Sequence, residues 1–363
     1  INPWIRPSAA RAPGIRCTSS SPVSNGKPPA TARPPARPSL TAGGMLGLRW
    51  GSQRHSRSPW ELLLPPLVSC FFVLLSQFAL AAVPRFFSSF SLFATLPIAG
   101  VVMVATLGTG RCCRRLLGVS ASAPAFVLFS TLFLWGVYIS VIREAIPSLL
   151  DATMNAQCAL LMFGLHRIFS SDAGVVTYSS SDPEELNQCT FSEVKSQSQL
   201  TWQDALSFTR ARYCRSCSVN VIGFDHHCPA FGNCIGQKNH RLFMVLLIGF
   251  IITEASYVSC STSYIRESVN ENKMRVKSPL SMDLAESTLL FSLLQILWQA
   301  IFLIWHIYCI CFNIKTEEWI NWRKYPEFQV VQPQPGQPMS ELKFWNPYDK
   351  GIVGNIKDFL RPE

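Results

Sequence analysis

The sequence predicts an α-helical polytopic membrane protein of six spans with a small cytosolic cysteine-rich domain. Three observations lead there: a composition poor in charge, a series of long apolar runs, and one tight cluster of cysteine and histidine between them. Of 363 residues, 48% are hydrophobic and 15% charged, with a mean hydropathy of +0.20. A soluble domain carries roughly 25% charged residues. The net charge of +10 does not point to nucleic acid, because that would need a basic patch on a folded soluble domain. Here the basic residues gather in the N-terminal tail and in short loops beside apolar runs, as on the cytosolic flanks of membrane spans. The 13 cysteines are odd in number and scattered, which fits reduced thiols in a cytosol-facing cluster better than a secreted disulfide framework.

Residues 1–58 form a tail rich in Pro, Ser, Ala and Arg, with no Asp or Glu and no apolar periodicity, and no fold is expected of them. The chain begins with Ile and its first methionine is Met45. Residues 1–44 are therefore read as translation upstream of the start rather than as a transit peptide.

Five apolar runs follow, at about 62–83, 86–107, 123–142, 243–265 and 289–314. Each is near the ~20 residues that cross a bilayer. A sixth stretch, about 149–169, carries Asp151, Asn155 and Gln157. Loop charge decides in favour of counting it. Arg49, Arg54 and Arg57 precede the first run, and Arg111, Arg114 and Arg115 follow the second, which places both sites in the cytosol. The polar stretch 170–242 is cytosolic only if the sixth stretch crosses. The organisation expected is thus a tail at 1–58, N-terminal spans at 59–169, a cytosolic domain at 170–242, C-terminal spans at 243–314 and a cytosolic tail at 315–363.

The chemistry lies in that middle domain. Tyr213-Cys214-Arg215-Ser216-Cys217 is followed by Phe224-Asp225-His226-His227-Cys228-Pro229 and Gly232-Asn233-Cys234. A Cys-x2-Cys turn is half of a tetrahedral zinc site, which a downstream His and Cys complete. Zinc needs four ligands and six candidates are present, leaving a Cys and a His for other work. A paired imidazole takes the proton of a thiol and stabilises the thiolate, and a carboxylate such as Asp225 orients the imidazole. Spacing does not say which histidine does which.

The run Asp225–Pro229, with Gly232-Asn233-Cys234-Ile235-Gly236 and Asn239, resembles the cysteine-rich domain of the DHHC protein S-acyltransferases. Two further stretches support the resemblance. Lys315-Thr316-Glu317-Glu318 is similar to the family's Thr-Thr-x-Glu motif, with Lys315 in place of the first Thr. Asn346-Pro347-Tyr348-Asp349, Gly351, Asn355 and Phe359 resemble its C-terminal element. Three signatures in order around spans are more specific than any one of them.

The resemblance implies a palmitoyltransferase that moves a long-chain acyl group from palmitoyl-CoA or a similar acyl-CoA to cysteines of target proteins. It implies Cys228 as nucleophile, His226 as its base, and Asp225 orienting His226 with a hydrogen bond from Thr316. Cys214, Cys217, His227 and Cys234 would bind one structural zinc, while Glu318 and Asn355 would brace the domain against the spans. A Golgi or endoplasmic reticulum membrane is implied, with the catalytic domain in the cytosol. The family's second zinc set is replaced here by Leu200, Gln203, Tyr213 and Asn220, and Cys189 does not restore it. Its usual Trp after the Pro is Ala230. A catalytically silent zinc-binding scaffold is therefore the competing reading. A transporter or channel would explain six spans but not the cluster.

Other residues receive plainer readings. Lys238, Arg241, Arg323 and Lys324 are read as interfacial anchors before contacts to CoA phosphates. Cys112 and Cys113 lie beside a span, as acylated or as inert thiols. His306, ionisable inside a span, is read as a polar contact between helices ahead of a functional group, and His240 and His166 carry no signal.

Overall fold

The computed structural model describes residues 59–87, 91–176, 210–270, 279–332 and 341–361. The tail, Cys189, Leu200 and Gln203 lie outside them. Six long helices dominate: α1 (Pro59–Phe86), α2 (Leu92–Leu117), α3 (Ala123–Val137), α4 (Ser148–Ser170), α5 (His240–Asn270) and α6 (Pro279–Cys311). A π turn (Tyr138–Ile142) and a 3-10 turn (Arg143–Ala145) continue α3. Five helical stretches are long and apolar enough to cross a membrane: Leu62–Phe86, Ala94–Leu116, Ala123–Ala145, His240–Val269 and Pro279–Cys311. Helix α4 has the length, at 23 residues, but falls short on apolarity.

Two of the polar residues of α4, Asp151 and Asn155, have partners, while Gln157 Oε1 is buried without one. Asp151 accepts hydrogen bonds from Tyr138 Oη (3.1 Å), Arg143 Nε (3.0 Å) and Asn155 Nδ2 (2.9 Å). Asn155 Oδ1 in turn accepts from Trp135 Nε1 at 2.9 Å. Polar groups at membrane depth persist when they are satisfied inside the bundle in this way. Direction also supports a crossing. The N-terminus of α3 touches the cysteine-rich domain, where a Cβ at Gly232 (φ +60°) would press on Pro124. The C-terminus of α4 returns to the same domain, for Ile168 O accepts from Asn233 Nδ2 at 2.9 Å.

The helices pack around two apolar clusters. One, remote from the cysteines, joins Leu80, Val83, Leu134, Tyr138, Tyr257 and Phe291. The other lies under the cysteine-rich domain and includes Leu161, Leu165, Phe231, Phe243 and Cys228. Ser69 ties α1 to the start of α3, donating to Ser122 O (2.7 Å) and accepting from Ser122 N (2.9 Å).

The cysteine-rich domain holds two small hairpins, β1 (Arg212–Cys214) with β2 (Val219–Val221) and β3 (His226–Cys228) with β4 (Asn233–Ile235), both antiparallel. Gly236 lets β4 pass close to its neighbours, since a Cβ there would collide with the Ala173 carbonyl and Val221. After α6, Asn313 (φ +46°) reverses the chain into the short helix α7 (Thr316–Asn321), the hairpin β5 (Gln329–Gln332)–β6 (Glu341–Phe344) and helix α8 (Ile352–Leu360).

Candidate active site and metal centre

Successive residues of a strand point to opposite faces. In β3 this separates the two adjacent histidines. The register pairs His226 with Ile235, His227 with Cys234 and Cys228 with Asn233. His227 therefore shares a face with Cys234, and His226 shares the other with Cys228. On the first face Cys214, Cys217, His227 and Cys234 gather, with donor atoms within 4.8 Å of one another. His227 Nδ1 lies 3.8, 3.4 and 3.8 Å from the sulfurs of Cys214, Cys217 and Cys234. Tetrahedral zinc with Zn–S near 2.3 Å and Zn–N near 2.0 Å requires ligand–ligand distances of about 3.5–3.8 Å.

The donor chemistry agrees. Burial raises the pKa of both Cys217 and Cys234 above the ordinary thiol range, so these crowded sulfurs need a cation to exist together as thiolates. Burial and the charge of His226 lower that of His227, favouring the neutral ring that ligates. Three thiolates and one imidazole suit zinc. The Cys214–Cys217 turn is shaped by a hydrogen bond from Ser218 N to Cys214 O at 2.8 Å, with Ser218 at φ +57°.

On the second face, His226 Nδ1 donates to Asp225 Oδ2 at 2.7 Å. That bond holds the proton on Nδ1 and leaves Nε2 as the basic nitrogen. Nε2 is buried and makes no hydrogen bond of good geometry, while Cys228 is one of the two groups whose proximity raises the ring's affinity for a proton. Burial opposes the charged ring, yet Asp225 and Cys228 together push its pKa up to about 9. Asp225 itself is fully buried. Burial alone would raise its pKa, but the surrounding imidazoles of His240, His226 and His306 hold it well below the usual carboxylate range. Two backbone amides complete its shell, Thr316 N to Asp225 Oδ1 at 3.0 Å and Glu317 N to Asp225 O at 2.9 Å.

Comparison with known proteins agrees with this arrangement. Residues 200–323 match the family model described as DHHC palmitoyltransferase. This segment of the chain is similar to the DHHC family. The chain is 31% identical over 163 residues to mouse palmitoyltransferase ZDHHC17, covering 42% of this chain and 24% of that one. The Drosophila melanogaster palmitoyltransferase Hip14 is 31% identical over 160 residues (42% and 23%). The Arabidopsis thaliana probable protein S-acyltransferase 5 is 29% identical over 154 residues (41% and 28%). The matches thus span about a quarter of the relatives' own length.

The residues expected to support the cluster have the following contacts. Glu318 is fully buried and receives Arg210 through two bonds, Nη2 to Oε2 (2.7 Å) and Nε to Oε1 (3.0 Å). Arg210 also stacks on Tyr348 at 4.2 Å, and Arg212 bonds to Glu327 and covers the ring of Tyr325 at 3.9 Å. Thr316 reaches Asp225 through its backbone amide. Its hydroxyl instead accepts from Trp305 Nε1 at 3.2 Å. Asn355 donates to Cys311 O (2.8 Å) and to Asp349 (2.7 Å) and accepts from Lys350 N (2.9 Å). Asn239 bridges Cys234 O and Ser171 Oγ at 2.9 and 3.0 Å.

Of the second zinc set, Tyr213 and Asn220 face each other across β1–β2, and the arginine pairs just described stand beside that hairpin. Lys238 pairs with Asp172 at 2.8 Å, and Arg241 donates to Arg361 O at 2.9 Å.

Three further residues stand at the cluster, of which the sequence marked only His306. His306 is fully buried, with Nδ1 3.8 Å from Asp225 Oδ2 and its ring 5.5 Å from that of His226. His240 sits 5.9 Å from His306, ring to ring. Arg210 lies too far from Glu318 along the chain for any local pattern to pair them. The cost of an ionisable group inside a span is the sequence signal that marks His306.

Proposed function

We infer that this protein is a protein S-acyltransferase acting through an acyl-Cys228 intermediate. The observation that carries this is the β3–β4 hairpin, which puts Cys228 and an Asp225-oriented His226 on one face and the metal ligands on the other. A cavity of about 240 Å³ reaches Cys228 from between α3, α4, α5 and α6, lined there by Ala230, Phe231, Phe243 and Phe302.

In the first step His226 Nε2 takes the Cys228 proton and the thiolate attacks the acyl-CoA carbonyl carbon. The new thioester bond forms as the bond to the CoA sulfur breaks, and CoA leaves as a thiol with the proton held by His226. In the second step His226 takes the proton of a substrate cysteine, whose thiolate attacks the acyl-enzyme. The acyl group moves to the substrate, and Cys228 leaves as the thiolate, which regains that proton. Asp225 keeps the ring oriented and stabilises its charged form throughout. The apolar walls hold the acyl chain.

Zinc held by Cys214, Cys217, His227 and Cys234 would supply a structural cross-link, with four protein ligands and no open position. The domain order proposed from sequence, with six crossings and the 170–242 domain in the cytosol, is supported by α4 returning to the cysteine-rich side. Golgi or endoplasmic reticulum residence rests on family resemblance, and imaging of the tagged full chain tests it.

The decisive experiment is autoacylation of the purified full chain with labelled palmitoyl-CoA beside Cys228→Ser. A hydroxylamine-sensitive label on the parent alone is the expected result. A well-folded, zinc-loaded parent that takes no label would favour the silent scaffold, a reading for which the Tyr213–Asn220 pair speaks.

A further inference from the structure

The cavity beneath Cys228 is not apolar along its whole length. Glu254 of α5, Gln299 of α6 and Ser130 of α3 all line it. Gln299 Nε2 donates to Glu254 Oε1 at 3.1 Å. The remaining atoms Glu254 Oε2, Gln299 Oε1 and Ser130 Oγ are buried and have no hydrogen-bond partner. Glu254 is only 9% exposed. Three helices thus turn unused polar capacity toward one space inside the membrane-spanning bundle. An ionisable side chain there is costly and marks a functional site, and a buried acceptor left unsatisfied costs about 1–3 kcal/mol.

Depth indicates what would meet them. Phe243 packs against the His226 ring at 5.3 Å and marks the level of the active site. Glu254 is 254 − 243 = 11 residues further along α5, a rise of about 16 Å at ~1.5 Å per residue. Half of a bilayer's hydrocarbon thickness is about 15 Å, the depth to which a long acyl chain extends when its thioester sits at the interface. The polar atoms therefore face the far end of the chain.

Resting on the acyltransferase reading, we propose that this cavity is a selectivity site for acyl chains carrying a hydroxyl at or near their distal end. The hydroxyl would donate to Glu254 Oε2 or Gln299 Oε1 and accept from Ser130 Oγ. A plain hydrocarbon end leaves all three without partners, so the site discriminates by the asymmetry between satisfied and orphaned polar groups.

The test uses the purified full chain and two donors, ω-hydroxypalmitoyl-CoA and palmitoyl-CoA, competing for Cys228. The parent should load the hydroxylated chain in preference, by about three- to tenfold for one added hydrogen bond. Glu254→Leu should lose or invert that ratio, and Gln299→Leu, on a different helix, should weaken it and keeps the test readable if the first variant does not fold. A ratio at or below unity in the parent, or one that neither variant moves, overturns the proposal and means that the polar atoms bind only water.

A binding readout separates this from failure of the catalytic reading. In Cys228→Ala, free ω-hydroxypalmitic acid should raise Tm more than palmitic acid does, and Glu254→Leu should erase the difference. That result without any loading of the parent would overturn the acyltransferase reading alone. Loading without any hydroxyl preference in either readout would overturn the selectivity site alone.

Discussion

His306 Nδ1 stands 3.8 Å from the Asp225 carboxylate, although the two residues belong to different parts of the chain, the long helix α6 and the residue that leads into β3. Helix α6 therefore places an imidazole beside the carboxylate that is hydrogen-bonded to His226. Neither ring nitrogen of His306 has a hydrogen-bond partner, and its ring packs on Phe302 and Phe243 at 4.5 and 4.9 Å.

His306→Phe preserves the aromatic packing while removing the dipole beside Asp225. Autoacylation should slow by about three- to tenfold, the size of one polar interaction, with little change in thermal stability. An unchanged rate across the pH range would show that His306 only fills space.

Asp225→Asn keeps the shape of the site but can no longer stabilise a charged His226, and it permits the wrong ring tautomer. The loss in single-turnover acylation rate should be on the order of 10²–10⁴-fold, as for other base-orienting carboxylates. Zinc content should be retained, because Asp225 is not one of the four donors Cys214, Cys217, His227 and Cys234 of the Cys/His group. A variant with nearly full activity would remove Asp225 from the mechanism.

Metal analysis should find one zinc per chain, because one complete Cys/His ligand set stands among the described residues. Cys234→Ser or His227→Ala should lose it and destabilise the domain, since structural zinc contributes folding energy directly. Two equivalents in the parent would mean that residues beyond those described complete a second site.

Glu318→Ala strands Arg210 in a buried position. Removing one partner of a buried ion pair costs about 3–5 kcal/mol, which thermal denaturation in detergent would register as a large fall in Tm. The double variant with Arg210→Met should recover part of the loss. Additive losses would show that the pair is not coupled.

Much of this architecture is legible without coordinates. The apolar runs follow from the ~20-residue requirement of a bilayer, and their helices appear at 62–86, 94–116, 123–145, 240–269 and 279–311. The residues that gather as a possible metal site are those that donor chemistry and family resemblance indicate. Other features are set by groups distant in sequence. Asp151 and Asn155 weakened the reading of α4, yet both are satisfied by Trp135, Tyr138 and Arg143 across a helix pair.

By itself the sequence determined the class of molecule, a polytopic membrane protein with a Cys/His cluster, because apolar length and ligand chemistry are local properties. It left the two adjacent histidines interchangeable. The tertiary structure distinguished them through the register of β3 on β4, since a period of two sends neighbours to opposite faces. Tertiary packing alone also brought His306 to Asp225, Arg210 to Glu318, and Glu254, Gln299 and Ser130 to one cavity. Each of these depends on which helices lie side by side, and such neighbours leave no periodic trace in the chain.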